Sequence, residues 1–507
     1  MSEDPGIVRV YGTDRIFHRD KILAVLLIPL AMSLMAVSSI NVALPTIETG
    51  LGATASDIQW VLAGYALTFG VFLIPWGRAG DVLGHGSVFV AGVAVFTFAS
   101  LACGLAATPF QLNAARFVQG LGAGMFNPQT MGMIQQYFRG LARAKAFALF
   151  GMVVSVSVAI GPVLAGAIIE SIGPQNGWRA TFFLNFPLGL VGILLALRWF
   201  PFGSERGRAL RKRERQAARA RGEALTVERA RVDLDPLGAV LVALAVLAVM
   251  WPFMSKSGGL TWGFIPAGLL LLLGWVRWER HYKASGREPM VDLKLFGYPS
   301  FTNGTAIAGT MFLGATSMFA VLAIYLQSGL GVNALLTGLV MLPNAITSTY
   351  SSWWAGRHAL TQGRKLIVLA LAAMVAGTLL SILVVHLVAN QGWSFWWLGV
   401  TVTVIGWGMG TMGACNQTLS LEDIPSHYGG TAGGVKQTAE RIGTAIGTAM
   451  VTAVFFSVAA SSDWATGFMW SYVVIAGLIG LALLLAVYDQ RAAKRGTWRA
   501  THPRIDE

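Results

Sequence analysis

Three charged residues interrupt an otherwise apolar, glycine- and alanine-rich stretch, "GGVKQTAERIGTAIGTAM" at residues 433–450: Lys436, Glu440 and Arg441. With about 3.6 residues per helical turn, Gln437, Arg441, Thr444 and Thr448 form one stripe, and Lys436, Glu440, Gly443 and Gly447 form the neighbouring one. Two polar stripes on a membrane-spanning helix cannot face lipid, so the charges are expected to border a water-filled cavity. For Lys436 and Glu440, four residues apart, a structural ion pair is the alternative. Arg441 lies about 15 Å along the axis from Thr431, too deep for a headgroup anchor. A carboxyl there can take and release a proton. An arginine stays charged, which leaves it to tune that carboxyl or to bind an anion. Gly443 and Gly447 form a GxxxG step that admits a neighbouring helix.

A second buried cation is expected in "ARFVQGLGAGMFNPQTMGM", where Arg116, Gly120, Ala123 and Asn127 share a face with Gln119 and Thr130 beside it. In "SVSVAIGPVLAG", Ser157, Gly161 and Ala165 recur four apart and Pro162 bends the helix. Either close packing against another span or a hinge between bundles fits that pattern.

The elements that hold these residues are set by composition. The chain has 507 residues, of which 55% are hydrophobic and 12% charged, with a mean hydropathy of +0.61. That excludes a water-soluble surface. About fourteen apolar runs of bilayer-spanning length follow one another, the first near Ile22 to Leu44 and the last near Gly467 to Tyr488. Placing the N-terminus in the cytoplasm puts all but five of the 37 Lys and Arg in the tails and the even-numbered connections. The exceptions are Arg179 and Lys256 outside and Arg116, Lys436 and Arg441 within spans. Both termini are therefore expected in the cytoplasm, with the chain in the cytoplasmic membrane. The net charge of +13 reflects this asymmetry and the Arg-rich connection after span six, expected as a solvated helix against anionic headgroups rather than a nucleic-acid module. The full-length first span shows no cleavable leader. Cys103 and Cys415 both sit in spans, with no disulfide or metal role expected.

A shift of 279 residues superposes "GRAGDVLGHG" (77–86) on "GRHALTQGRK" (356–365) and keeps Gly77, Arg78 and Gly84 as Gly356, Arg357 and Gly363. The expected units are an N-terminal tail (1–21), a six-helix bundle (22–200), a basic loop (201–235), an inserted two-helix hairpin with its linker (236–298), a second six-helix bundle (299–490) and a C-terminal tail (491–507). A nucleotide-cradling loop is missing, since Gly429 to Lys436 has the wrong spacing. Neither a metal-ligand cluster nor a nucleophile with its base is evident. An enzyme is not expected, and no cofactor or metal is implied.

In order along the chain, "GRAGDVLGHG" with Gly77, Asp81 and Gly84, "RFVQGLGAG" with Arg116, Gln119, Gly120 and Gly122, and "IGPVLAG" with Gly161 and Pro162 resemble the motifs of the major facilitator superfamily, in its fourteen-helix drug/proton antiporter branch. "NGWRATFFLNFPLG", "PMVDLKLF" and "YLQSGLGVNALLTGLVMLP" resemble further segments of that branch. The resemblance implies two six-helix bundles rocking about a central site. It also implies that Asp81 sits at the N-terminus of the helix carrying Lys436, where the helix dipole favours a carboxylate.

The chain departs from the pattern in three respects. Ala36 stands where a helix-one carboxylate is usual, Val82, His85 and Gly86 replace basic residues, and Glu440 replaces an uncharged one. Glu440 is accordingly expected to supply the missing protonatable group. Asn41, Trp60, Tyr65, Gln119, Asn127, Asn185, Gln327, Asn344, Trp407, Asn416 and Gln437 are candidates to line a substrate cavity. For the aromatic ones ordinary packing competes, and for the amides hydrogen bonding between helices. The expected function is a monomeric proton-coupled exporter of amphipathic small molecules. A carrier of a lipid or envelope precursor, or a non-transporting membrane sensor, are the alternatives; expected partners are substrate, protons and membrane lipids.

Overall fold

The computed structural model describes residues 7–9, 16–202, 234–254 and 259–494. Nearly all of the basic connection, Lys256 and parts of both tails lie outside the described residues. A small antiparallel pair, β1 (Ile7–Arg9) and β2 (Ile16–His18), aligns Ile7 with His18. Among the described residues it is the one strand pair, which the all-α expectation did not include.

The first half comprises α1 (Arg19–Ser38), α2 (Ile40–Leu51), α3 (Ala55–Leu83), α4 (His85–Leu105), α5 (Pro109–Tyr137), α6 (Gly140–Ile172), α7 (Pro174–Phe183) and α8 (Asn185–Trp199). The inserted hairpin is α9 (Pro236–Met254) and α10 (Phe264–Ala284). The second half comprises α11 (Pro299–Ile324), α12 (Ala334–Gln391), α13 (Trp397–Ser420), α14 (Gly429–Ser461) and α15 (Trp464–Lys494). Helix starts follow side-chain chemistry. Thr54 and Asp57 form a reciprocal capping box before α3, and Thr108 caps α5 ahead of Pro109. Gly84, at φ 101°, makes the tight corner between α3 and α4 that a side chain would resist. Pro45 and Pro187 each lack the N–H that would bond the carbonyl four residues back. The helix is interrupted at Ser39 and Leu184, so α1–α2 and α7–α8 are each one bent span.

Twelve described helices are long and apolar enough to cross a membrane. Two more crossings bring the total to fourteen. One is α5, whose Arg, Asn and Gln content lowers its hydropathy. The other is hidden in α12, whose 58 residues run without a helical break. Straight, α12 would extend about 87 Å, roughly three hydrocarbon thicknesses. Its contacts show that it folds back on itself. Asn344 donates to the Val402 carbonyl at 3.1 Å and Ser352 to the Gly410 carbonyl at 3.0 Å, so this portion runs parallel to α13. Further on, Gly363 meets Leu419, Ala370 meets Gly408, and Ser381 bonds Thr401 at 2.7 Å, which is antiparallel. The chain therefore reverses between Ala355 and Gly363, where the shifted repeat places a loop.

Lipid offers no hydrophobic drive between helices, so close packing and small residues hold the halves. Phe89 and Phe96 each meet Phe126 edge to face inside the first half, and inside the second Phe468 stacks on Tyr472 and lies tilted against Tyr325. The halves meet along two seams. In the first, α3 runs against α14: Gly77 touches Gly430, Gly434 touches the Leu73 carbonyl, and Thr438 donates to the Gly70 carbonyl at 3.5 Å. In the second, α6 runs against α12: Ala148 meets Gly356, Gly151 meets Ser352, and the Ser155 and Ser348 hydroxyls bond at 2.7 Å. The inserted α9 lies over the first seam, with Trp251 on Trp60 (5.1 Å between ring centres) and Met250 against Gly70.

Candidate functional site

The site is built on the first half of α14 and on what α3, α5 and α13 present to it. Gly429 to Thr438 are buried without interruption, and from Ala439 onward the helix is largely half-buried. The sealed part lies toward the face that carries both chain termini, called the terminus face below.

At the outermost level of that face, Asp81 at the end of α3 accepts from the Gly430 amide at 2.9 Å, the Thr431 amide at 2.8 Å and the Thr431 hydroxyl at 2.5 Å. These amides are the unpaired donors of a helix N-terminus, where a carboxylate is favoured by both hydrogen bonds and dipole. The His85 ring stands 3.4 Å from the other side of Asp81 and bonds the Gln129 side chain at 2.9 Å. The Gln129 amide in turn donates to the Trp76 carbonyl at 2.6 Å. Gln135 adds a second tie, donating to the Leu421 and Ile424 carbonyls at 3.0 and 2.7 Å. Arg78 pairs with Glu288 at 2.7 Å, tying α3 to the linker that follows the hairpin.

Two turns into α14, Lys436 is fully buried and donates to the Ser420 hydroxyl at 2.8 Å, the Asn416 carbonyl at 3.3 Å and, closely, the Gln417 side-chain oxygen. All three ammonium protons are thus matched by neutral acceptors on α13. One turn deeper, Glu440 and Arg441 are both half-buried. Among the described residues neither makes a hydrogen bond or ion pair. Arg441 instead stacks its guanidinium 4.4 Å from the Phe69 ring of α3, a cation–π contact across the first seam.

Arg116 occupies a different setting. It is buried between α3, α4 and α5, donating to the Val61 carbonyl at 2.9 Å and to Gln119 at 2.7 Å, while Gln119 donates to Ser100 at 2.7 Å. The Tyr65 ring covers the guanidinium at 4.4 Å and packs on Phe69 at 5.9 Å.

A model of the Major Facilitator Superfamily matches residues 26–448. The chain belongs to this superfamily. It is 31% identical over 441 residues, 86% of its own length and 72% of the relative's, to a probable actinorhodin transporter of Streptomyces coelicolor. It is 28% identical over 493 residues, 91% and 89% of the two chains, to the puromycin resistance protein of Streptomyces alboniger. Its fold resembles the crystal structure of the human organic anion transporter MFSD10, with a TM-score of 0.64 over 92% of this chain and 99% of that one; at 13% identity this is a likeness of fold alone. The protein is a multi-pass integral membrane member of the superfamily, similar to carriers of its drug-efflux branch.

Several expected positions are corrected by this facilitator's geometry. Lys436 and Glu440 form no ion pair, because the lysine finds its three acceptors on α13. Lys436 and Arg116 do not border an open cavity; each is enclosed within one half. Ser157, Gly161 and Ala165 do not lie between bundles: Gly161 packs against Ser38 of α1, and the α6 seam runs through Ala144, Ala148, Gly151 and Ser155. Pro162 lies beside that α1 contact on the same helix. Gly443 and Gly447 admit the backbone of α11 at Gly309 and Leu313.

The cavity candidates do not converge on one space. Asn41 and Gln327 are exposed. Trp60 stacks between Phe117 and Trp251, and Trp407 lies near Trp354. Asn127, Asn344 and Asn416 spend their amides on the Ala123, Val402 and Gly304 carbonyls. Asn185 lines a narrow pocket inside the first half with Ala36, Ser39 and Thr181. Gln437 remains beside Arg441, buried, with its amide nitrogen unpaired.

Sequence reasoning missed the His85–Gln129 tie, the Gln135 contacts and the small-residue seams. The spacing of four through Gly430, Gly434 and Thr438 was the available signal for the first seam.

Proposed function

We propose that this facilitator is a proton-coupled exporter of amphipathic small molecules, working by alternating access as a monomer in the cytoplasmic membrane. Both termini are assigned to the cytoplasm from the distribution of Lys and Arg, and the units at 22–200 and 299–490 act as the rocking bundles. The names of its relatives, a transporter and a resistance protein, support export of small molecules. The observation that carries proton coupling is Glu440, a carboxyl deep in the span and half-buried, with no partner in a hydrogen bond or ion pair among the described residues.

The structure is closed at the terminus face by the ties of Asp81, Gln135 and Ser155. Glu440 lies past the sealed stretch, toward the opposite side. An ionised carboxylate there needs water, and closing the space around it while charged is costly. Taking a proton from outside removes that charge and permits closure on the outer side. Opening inward then requires Asp81 to release the α14 N-terminus. Each elementary charge moved across the membrane contributes about 2.3 kcal/mol per 100 mV.

The test is gradient-driven transport of puromycin in proteoliposomes. Glu440→Gln is expected to abolish accumulation driven by a pH gradient while leaving downhill exchange. Accumulation equal to the unsubstituted protein in that variant overturns the assignment of Glu440.

A further inference from the structure

We propose that Nε2 of His85 is a proton-binding site on the terminus side of the seal, and that a proton taken there loosens Asp81 from the N-terminus of α14. The site is separate from Glu440 and does not depend on what is transported.

Hydrogen bonding fixes which ring nitrogen is bare. The Gln129 amide nitrogen donates to the Trp76 carbonyl at 2.6 Å and to the Met125 carbonyl at 3.0 Å, so the amide cannot be turned round without setting its oxygen against two others. Gln129 therefore offers its Oε1 to His85, 2.9 Å from Nδ1, and Nδ1 carries the hydrogen. A neutral ring then has Nε2 unprotonated. That nitrogen faces Oδ1 of Asp81 at 3.4 Å. A carboxylate has about four acceptor positions, and Asp81 has filled three of them with the Gly430 amide, the Thr431 amide and the Thr431 hydroxyl. Its last position and the bare imidazole nitrogen thus confront each other, two acceptors with room for a single proton.

Taking that proton turns the confrontation into a charge-assisted hydrogen bond, ordinarily about 2.7–2.9 Å long. The ring has no slack with which to close the gap. It is 8% exposed and walled by Gly80, Gly132 and Gly430, where an added Cβ would stand 2.8, 2.5 and 2.9 Å from ring atoms. Asp81 must move instead, and the oxygen that moves is the one holding the Gly430 amide. The new charge also lies against the first residues of α14, the positive end of that helix, which repels it. Among the described residues Asp81 of α3 is the one ion-pair partner of His85; α5 faces the ring with Gln129 and Gly132, and α14 with Gly430, all uncharged. Opening the terminus face takes α14 away and lets water reach the ring, so the charged form belongs to the open face.

The test is pulsed electron paramagnetic resonance on the full-length protein, with nitroxides on cysteines introduced at Leu141 and Thr361, exposed positions on either side of the α6–α12 seam at the terminus face. A Glu440→Gln background removes the other proton-binding group of the proposed cycle. Between about pH 8 and about pH 5.5, where histidine ordinarily titrates, the ratio of the longer to the shorter distance should rise roughly fivefold. His85→Asn keeps a donor for Gln129, and His85→Gln keeps more of the ring's length; both lose the titrating nitrogen. Each should hold the alkaline ratio throughout, with thermal unfolding showing that it is folded. A rise that persists in either folded variant, no rise in the protein with His85, or a shift toward the shorter distance on acidification overturns the proposal. So do variants that are open at both ends of the range, which would make the ring part of the lock rather than its proton site.

Discussion

Asp81 and Thr431 are joined twice across the first seam, the carboxylate accepting from both the amide at 2.8 Å and the hydroxyl at 2.5 Å. Together with the Gly430 amide this makes the first turn of α14 a bound ligand of α3.

Hydrogen bonds to charged groups contribute about 1.5–3 kcal/mol, so Asp81→Ala should shift the balance of states roughly tenfold or more toward opening at the terminus face. Cys103 and Cys415 are both buried, which leaves a clean background for labelling. A cysteine introduced at Met131, buried in the closed state against Gly433 of α14, should react faster with an impermeant maleimide in the Asp81→Ala variant. An unchanged rate would show that the contact does not govern opening.

Gly434 touches backbone rather than a yielding side chain: a Cβ there would stand 2.6 Å from the Leu73 carbonyl oxygen. Gly434→Val should hold the first seam apart and reduce transport by about tenfold or more. Gly413, with open space around its would-be Cβ, is the control; Gly413→Ala should leave transport intact and add up to about 1 kcal/mol of helix stability. Thermal unfolding and proteoliposome transport measured side by side decide both.

Arg116 is expected to act on stability rather than on coupling. Removing it leaves the buried Gln119 side-chain oxygen without its donor inside the first half, a cost of about 1–3 kcal/mol. Arg116→Leu should lower the unfolding temperature without altering the pH dependence of transport. A changed pH profile at unchanged stability would return Arg116 to the coupling network.

The linker after the hairpin carries a pH-dependent contact. Burial alone would raise the Asp292 carboxyl, but the Lys283 ammonium, 2.7 Å from both its oxygens, and the Lys294 amide outweigh it and hold Asp292 below the usual range. A depressed carboxylate stabilises the folded state above its unfolded value of about 4 and loses that contribution as pH falls through the folded one. The difference in unfolding temperature between the unsubstituted protein and Asp292→Asn should be constant from about pH 5 to 8 and shrink below about pH 4. A difference that grows on acidification would contradict this.

The crossings and the charged stripes were legible in sequence because lipid permits few ways to satisfy a backbone and tolerates few charges. Partner choice was not legible. Helical spacing places Lys436 and Glu440 on one face, yet Ser420, Gln417 and Asn416, brought up by α13, outcompete the carboxylate. The Ser157–Gly161–Ala165 stripe shows that small residues at intervals of four mark a close neighbour without saying which. Here the neighbour is α1, and the seam uses a different face of the same helix. The reversal within α12 leaves no break in helical hydrogen bonding; the repeat at "GRHALTQGRK" marks it in sequence, and the two sets of contacts with α13 mark it in the fold.

Among the described residues the two flanks are unequal, because α9 roofs the α3–α14 seam whereas no inserted helix roofs the α6–α12 seam. Large apolar side chains at Val163, Ile346 and Tyr350 are 61–63% exposed on α6 and α12. Acyl tails therefore lie directly against one seam and are held off the other by a helix.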